Sequence, residues 1–254
     1  MRTMTFITGA SRGLGLELAR ALLREGDTVV TMERKPSAAL VEEAKAKGCE
    51  FIQFSVNLID LNSGISLLQW WLSQNENSKK FDRIVLINNA GTLGQVGFIE
   101  DGTAQGAADC IRVNFEAPLL LMQAFLRETE EWSAEKRIMN ISSGAGRKAV
   151  PGWSMYCSTK AALDRATETI ALDESRKVNG AKLCAVAPGV VDTDMQLAIR
   201  SSDPVDFPAA DRFKKLYEDN QLSSAKEVAE KLVRYLDSDA FGSEPIADIR
   251  NIHI

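Results

Sequence analysis

The sequence predicts an α/β fold in which a doubly wound parallel sheet carries helices on both faces. Short β-branched, apolar runs alternate with longer stretches that have apolar residues at helical spacing, and a glycine-rich turn follows the first run. Repeated β-α-β units of this kind build parallel sheets that are buried on both faces. With 254 residues, of which 45% are hydrophobic, the chain is long enough for such a core. We expect one domain over residues 1–254, because no linker, repeat or low-complexity segment divides it.

The individual elements follow from the local patterns. The β-branched runs predict six strands, at residues 3–8, 28–32, 51–55, 83–88, 137–142 and 182–187. The helical spacing of apolar residues predicts helices at residues 14–25, 38–47, 63–75, 103–130 and 154–177. Pro118 falls inside the fourth helix, and since proline has no backbone N–H, we expect a break there.

The alternation of strands and helices stops after the sixth strand, over residues 192–222. This segment contains Pro204 and Pro208 among polar residues, and a short helix is predicted at residues 209–217. Loops of this length inside compact domains are usually lids or binding loops. We therefore expect the segment to enclose a substrate, with an ordinary surface loop as the alternative.

Tyr156 and Lys160 are the most informative pair in the chain. They lie four residues apart in a predicted helix and so share one face of it. A nearby cation favours the phenolate, so we expect Lys160 to lower the pKa of Tyr156. Ser143 directly follows the fifth predicted strand, which places it at the carboxyl edge of the sheet. A carbonyl oxygen held between Ser143 and Tyr156 would be polarised, as ketone reduction requires; a chance occurrence of the pair is the alternative.

The glycine-rich turn suggests a nucleotide site. Gly9, Gly13 and Gly15 stand between the first strand and the first helix. Unshielded N–H groups and the helix dipole at such a turn can face a pyrophosphate. The spacing differs from the general dinucleotide fingerprint, and a tight β-α turn without a ligand is the alternative. Its position at the start of a Rossmann-like pattern favours dinucleotide binding.

The choice of cofactor depends on charge near the end of the second strand. There, Glu33 would accept a ribose hydroxyl and repel a 2′-phosphate, whereas Arg12, Arg34 and Lys35 could surround a phosphate. Three cations against one carboxylate favour NADPH (NADP+), with NAD(H) as the less favoured choice.

Composition argues against several other classes of protein. The net charge of −5 is spread without long blocks, so we expect no nucleic-acid partner. No apolar stretch is long enough to span a membrane and no secretory pattern is visible, so we expect a cytoplasmic protein. The four cysteines are far apart and the only histidine is His253, so we expect no metal site.

Together these residues resemble the short-chain dehydrogenase/reductase family over essentially the whole chain. The matching features are the turn at residues 8–15, Asn-Asn-Ala-Gly at 88–91, Asn114, Ser143, the Tyr156 and Lys160 pair, and Pro188-Gly189. Residues 140–146, 188–196 and 239–248 more closely resemble the sepiapterin reductase and bacterial benzil reductase branch.

The resemblance implies roles for further residues. Asn114 would be a fourth catalytic residue, which helps to hold a proton-relay water beside Lys160, and Lys160 would also bind the nicotinamide ribose. The implied cofactor-binding set is Gly9, Ser11, Arg12, Gly13, Leu14, Gly15, Arg34, Asn57, Leu58, Asn89, Ala90, Gly91, Tyr156, Lys160, Pro188, Gly189, Val191 and Thr193. Association as a homodimer or homotetramer, through the long helices after the fourth and fifth strands, is also implied.

The expected reaction is NADPH-dependent reduction of a small ketone or diketone, benzil-like or sepiapterin-like, with Tyr156 as the proton donor. Ser143, Trp153 and Met195 are candidate substrate contacts, and the resemblance to sepiapterin reductases adds Asp248 as a candidate anchor. Trp153 and Met195 could equally be core residues, and Asp248 a surface residue. A non-catalytic NADP(H)-sensing or scaffolding protein of the same fold is the alternative function, although it would not need the proton-transfer residues.

Overall fold

The computed structural model describes residues 1–75 and 80–253. Its strands are β1 (Thr3–Thr8), β2 (Thr28–Glu33), β3 (Glu50–Ser55), β4 (Arg83–Asn88), β5 (Glu135–Ile141), β6 (Lys182–Ala187), β7 (Val191–Asp192), β8 (Ser223–Ser224) and β9 (Ile246–Asp248). Its α-helices are α1 (Gly13–Leu22), α2 (Ala38–Ala46), α3 (Leu61–Gln74), α4 (Ala104–Ile111), α5 (Ala117–Glu128), α6 (Ser154–Glu174), α7 (Asp194–Arg200), α8 (Ala210–Glu218) and α9 (Ala225–Asp237).

The main sheet confirms the predicted fold class. Within the described ranges it has seven strands in the order β3-β2-β1-β4-β5-β6-β9, and each neighbouring pair is parallel. The chain reverses its direction of travel between β1 and β4, and the carboxyl ends of the strands next to such a reversal form a crevice. The predicted catalytic and glycine residues follow strands at this edge.

The core lies on both faces of the sheet because neighbouring residues in each strand point to opposite faces. Ile7 of β1 packs with Leu18 of α1 and Leu232 of α9 on one face. Phe6 packs with Leu68 of α3 and Phe125 of α5 on the other. Strands that are buried on both faces explain why the predicted runs were almost continuously apolar.

The expected break at Pro118 is wrong. The chain stays helical from α4 to α5 through a π-helical segment, Arg112–Glu116. The N–H of Ala117 donates to the carbonyl of Arg112, five residues earlier, and Pro118 then falls in the first turn of α5. A missing N–H is tolerated in a first helical turn, so widening the preceding turn removes the need for a break.

The region after β6 contains more structure than the sequence patterns predicted. The helix predicted at residues 209–217 is confirmed as α8, but α7, α9 and the short strands β7, β8 and β9 were missed. β7 and β8 pair with each other, Val191 beside Ser223, and so join the two ends of the segment 192–222. β9 adds to β6 and brings the C-terminal residues to the catalytic edge of the sheet. No helix within residues 1–75 or 80–253 is long and apolar enough to cross a bilayer.

Candidate active site

Ser143, Tyr156 and Lys160 come together beyond the carboxyl end of β5. Ser143 follows that strand, and Tyr156 and Lys160 lie in the first turns of α6. The Lys160 ammonium donates to the carbonyl of Ile141 at 2.8 Å, which ties α6 to the end of β5. Lys160 Nζ lies 5.9 Å from the centre of the Tyr156 ring. The two side chains are almost fully buried, with 8% of Tyr156 and 3% of Lys160 exposed.

Burial controls the charge state of this pair. It raises the pKa of Tyr156 to about 12, against a smaller opposite effect of the Ser143 hydroxyl. It also lowers the pKa of Lys160 to about 8. The direction for Tyr156 is opposite to our expectation that Lys160 lowers its pKa, because the loss of water around a phenolate is the largest effect. Tyr156 is therefore protonated at neutral pH.

Asn114 and Lys160 both reach the surroundings of Gly91, and the Asn114 side chain is engaged by hydrogen bonds. Its Oδ1 accepts from the Thr92 N–H at 2.8 Å, and its Nδ2 donates to the Thr92 carbonyl at 2.8 Å and to the Thr159 hydroxyl at 3.1 Å. A Cβ added at Gly91 would lie 3.5 Å from Asn114 Oδ1 and 3.7 Å from Lys160 Nζ. The residue four positions after Asn114 is Pro118, which has no N–H to donate to the Asn114 backbone carbonyl in the ordinary α-helical pattern.

The glycine turn needs glycine because of its backbone angles and its close packing. Gly9 and Gly13 have positive φ angles of 74° and 56°. A Cβ at Gly15 would collide with the Gly9 carbonyl and with the amide of Asn89. Asn89 Nδ2 donates to the carbonyls of Thr8 and Gly9 at 3.0 and 3.2 Å, which holds the turn.

The helix that follows this turn begins without a side-chain cap. Arg12 is its extended N-cap residue and makes no capping hydrogen bond, and Ser11 beside it is exposed. The N–H groups of the first turn, which includes Leu14, can therefore donate to an anion. The cradle of backbone N–H groups fits the pyrophosphate of a dinucleotide.

The segment after β6 closes against the glycine turn. Gly189 has a φ of 79°, in the left-handed region that favours glycine. Thr193 caps α7 by accepting from the Gln196 N–H, and its methyl group lies 3.3 Å from where a Cβ on Gly13 would be. Val191 is buried beside it in β7. Of these predicted cofactor contacts, Thr193 thus lies against the glycine turn.

The residues around the predicted adenosine position differ in exposure. Glu33 is 2% exposed: its Oε1 accepts from Thr31 and Gln53 at 3.0 Å, and burial raises the pKa of its carboxyl group. Arg34, in contrast, is exposed. Arg12 pairs with Asp194 at 3.0 Å, an exposed ion pair that sequence reasoning missed.

Beyond β3, Asn57 and Leu58 have different environments. Asn57 accepts from the Ile59 N–H at 3.2 Å through its side chain and is exposed. Leu58 is buried, and a Cβ added at Gly64 would lie 3.0 Å from it. Leu58 thus packs against the start of α3, while Asn57 faces solvent at the carboxyl edge of the sheet.

An aromatic cluster covers Tyr156. Trp153, which is 4% exposed, contacts the Tyr156 ring edge-on with centres 5.3 Å apart. Phe207 stacks on Trp153 at 4.8 Å, and Phe213 lies 5.5 Å from Trp153. Met195 packs against the same cluster. Phe207 and Phe213 belong to the segment 192–222, and sequence reasoning missed them because their phenyl rings fall among polar residues without a period.

Asp248 lies at the expected edge of the sheet, paired in β9 with Ala187. Its two oxygens accept from Arg250 Nε and Nη2 at 2.9 and 2.6 Å, and this contact lowers the pKa of Asp248. The Arg250 side chain also lies against Gly189. The structure therefore brings Asp248 to the site but engages its carboxylate with Arg250.

A sequence model described as short chain dehydrogenase matches residues 3–204. The chain belongs to the short-chain dehydrogenase family. It is therefore an oxidoreductase of a family that uses nicotinamide cofactors, and the uncapped glycine turn fits such a group.

Two relatives place this short-chain dehydrogenase within the family. The chain is 37% identical to benzil reductase ((S)-benzoin forming) of Bacillus cereus over 92% of this chain and 94% of that protein. It is 30% identical to the sepiapterin reductase of Rattus norvegicus over 97% of this chain and 95% of that protein. Both names agree with the branch that the sequence motifs indicated.

A solved structure confirms the fold of this short-chain dehydrogenase. The 3-oxoacyl-(acyl-carrier protein) reductase from Brucella melitensis, in complex with NAD, superposes with a TM-score of 0.80. The comparison covers 98% of this chain and 96% of that one at 22% identity. At this identity the likeness extends to the fold alone.

Proposed function

We propose that the protein is an NADPH-dependent carbonyl reductase that acts on a ketone or a 1,2-diketone, benzil-like or sepiapterin-like. The observation that carries the proposal is the setting of Tyr156, a protonated phenol close to Ser143 beneath an aromatic cluster. A buried proton donor beside an apolar surface suits an aromatic carbonyl compound. The names of the two relatives support the same substrate class.

The residues of this chain divide the work of the reaction. The hydride for the carbonyl carbon would come from a nicotinamide cofactor, when one is bound. Ser143 donates a hydrogen bond to the carbonyl oxygen, and Tyr156 transfers its hydroxyl proton to that oxygen as negative charge develops there. Lys160, anchored on the Ile141 carbonyl, keeps further N–H donors for the nicotinamide ribose and stabilises the phenolate that remains. The Asn114 backbone carbonyl accepts a hydrogen bond from a relay water beside Lys160, through which a proton returns to the Tyr156 phenolate.

The preference for NADPH is supported by where the charges lie. Arg34 and Lys35 are exposed and, within the described ranges, form no ion pair. Glu33, which could repel a 2′-phosphate, is buried, and its carboxyl group accepts hydrogen bonds from Thr31 and Gln53. Arg12 can join the phosphate site by leaving its exposed pair with Asp194, which costs little in water.

The proposal extends to the organisation of the protein. The chain forms one cofactor-binding domain, and the segment 192–222 acts as the substrate loop because it carries Phe207 and Phe213 to the Tyr156 cluster. The protein works in the cytoplasm as a homodimer or homotetramer. Exposed Ile111 on α4 and Leu172 on α6 support association through those helices.

A spectrophotometric assay tests the proposal. NADPH or NADH is offered with benzil, a small aliphatic diketone or sepiapterin, and loss of nicotinamide absorbance is followed. Tyr156→Phe is the control: it removes the transferable proton and should abolish turnover, while the variant should still bind NADPH in a fluorescence titration. Tight NADPH binding without turnover of any carbonyl compound would instead favour the cofactor-sensing alternative.

A further inference from the structure

Trp153 holds a hydrogen-bond donor that the fold does not use. Its backbone N–H donates to the Val150 carbonyl at 3.1 Å, and its own carbonyl accepts from the Cys157 N–H at 2.8 Å. Its indole Nε1–H is buried and has no acceptor among residues 1–75 and 80–253. A buried indole N–H normally finds a partner, because leaving the donor without one forfeits its hydration.

The unused donor lies close to the proposed reaction centre. Trp153 stands three residues before Tyr156, so the two side chains leave the same face of the helix start and their rings meet edge-on. The other rings against the indole are Phe207 and Phe213, which have no acceptor oxygen or nitrogen. A phenylalanine would pack in this cluster without an unpaired donor, so packing alone does not require the indole nitrogen.

We propose that the Trp153 Nε1–H donates a hydrogen bond to the second oxygen of a 1,2-dicarbonyl substrate, the oxygen that is not reduced. This inference rests on the proposed function. Ser143 and Tyr156 bind the reacting oxygen, and in a 1,2-dione the second oxygen is on the adjacent carbon. It is therefore presented to the groups that border Tyr156, and the indole is one of these groups. Trp153 is thus a specificity residue that favours diones over simple ketones.

The test compares a matched pair of substrates, 1-phenylpropane-1,2-dione and 1-phenylpropan-1-one. They differ only at the second carbon, which is a carbonyl group in the dione and a methylene group in the monoketone. Trp153→Phe keeps an aromatic ring and removes the donor. We expect kcat/KM for the dione to fall about 10- to 100-fold, since a site built to hydrogen-bond a polar group discriminates strongly. The value for the monoketone should change less than about threefold, because no hydrogen bond is lost with it. NADPH affinity should not change.

Phe213→Leu is the control variant, because it alters packing on the same indole and removes no donor. It should lower the two kcat/KM values by the same factor. If Trp153→Phe also lowers both equally, or lowers neither, the inference is wrong and the proposed function stands. If the wild-type protein binds NADPH and reduces neither compound, the proposed function fails and takes this inference with it. If the wild-type protein reduces only the dione, the two variants are compared on that substrate. An equal fall in kcat/KM in Trp153→Phe and Phe213→Leu would then overturn the inference.

A second measurement needs no variant and covers the case in which Trp153→Phe does not fold. The chain has four tryptophans, so a sample with nitrogen-15 in the indoles gives a readable NMR spectrum. With NADP+ bound, where no hydride can be transferred to the substrate, the dione should shift one indole N–H resonance downfield and the monoketone should leave it in place. The same response to both compounds would contradict the hydrogen bond.

Discussion

The protonation states of Tyr156 and Lys160 depend more on the absence of water around the two groups than on the groups' effect on each other. Burial makes the phenol harder to ionise and the ammonium easier to deprotonate. The proposed reduction needs a protonated phenol and a charged lysine at the same pH. The window in which both hold extends upward only to the pKa of Lys160.

The pH profile of the proposed reductase should reveal this limit. The pKa of Lys160 is lowered to about 8, so its charge is lost as the pH rises through that value. We expect kcat/KM to fall above about pH 8, by up to about tenfold per pH unit, because neutral Lys160 no longer stabilises the phenolate. Lys160→Arg keeps a cation at every working pH, so the activity it retains should lack this inflection. The same inflection in that variant would assign it to another group.

Arg34 gives a second prediction at the level of one side chain. Arg34→Ala should raise the Kd for NADPH about tenfold or more, since charge-assisted hydrogen bonds to the 2′-phosphate are lost. The Kd for NADH should change less than about twofold, because NADH has no phosphate at that position. Fluorescence titration measures both values. Arg24→Ala, which removes an exposed cation where α1 has ended, is the control and should alter neither.

Among the elements, β5 and α9 are joined by a buried arginine. The Arg137 guanidinium donates to the carbonyls of Leu236 and Ser238 at the end of α9, and also to Glu135. A cation in this place satisfies carbonyls that the helix leaves unpaired and interacts favourably with the helix dipole. This contact fixes one end of a helix that packs on α1.

Arg137→Met should therefore destabilise the protein strongly. The carbonyls of α9 would be left buried without a donor, and we expect the free energy of unfolding to fall by about 3 kcal/mol. Arg165→Met is the matched control, since Arg165 forms an exposed pair with Glu168, and it should cost less than about 0.5 kcal/mol. Urea denaturation of both variants measures the difference, and similar midpoints would contradict the role given to Arg137.

Across the whole molecule, the glycine turn and the segment 192–222 are linked by the ion pair of Arg12 with Asp194. In the proposed complex Arg12 turns to the 2′-phosphate, so Asp194 competes with the cofactor for the same guanidinium. Asp194→Asn should lower the Kd for NADPH by about two- to fivefold at low salt, the range expected for an exposed pair. The Kd for NADH is the internal control. The gain should disappear in high salt, where exposed charges are screened.

The sequence predicted the parts of the molecule whose causes are local. The six main strands, the glycine turn and the Tyr156 and Lys160 pair each follow from a short pattern, and the structure has them where they were expected. α9 was missed although Ser224 and Glu227 form a capping box, a signal that is readable in the sequence. It was overlooked because it follows directly on an irregular segment.

Other features depend on contacts between residues far apart in the chain. The stack of Phe207 on Trp153 follows from how the segment 192–222 folds back on α6, which no local pattern encodes. The raised pKa of Tyr156 depends on that same burial. The proximity of Ser143, Tyr156 and Lys160 could thus be predicted from the sequence, whereas their environment could not.

The pairing of β7 with β8 affects how far the segment between these two strands can vary. Because the two strands hydrogen-bond to each other, the chain between them leaves and re-enters the domain at one place. Lengthening such a closed loop costs only about 0.6 kcal/mol for each doubling of its length. Segments of different length and composition can therefore be exchanged between Asp192 and Ser223 while the seven-stranded sheet keeps its register. The pairing of β7 with β8 thus allows the segment that covers Tyr156 to vary while Ser143, Tyr156 and Lys160 stay in place.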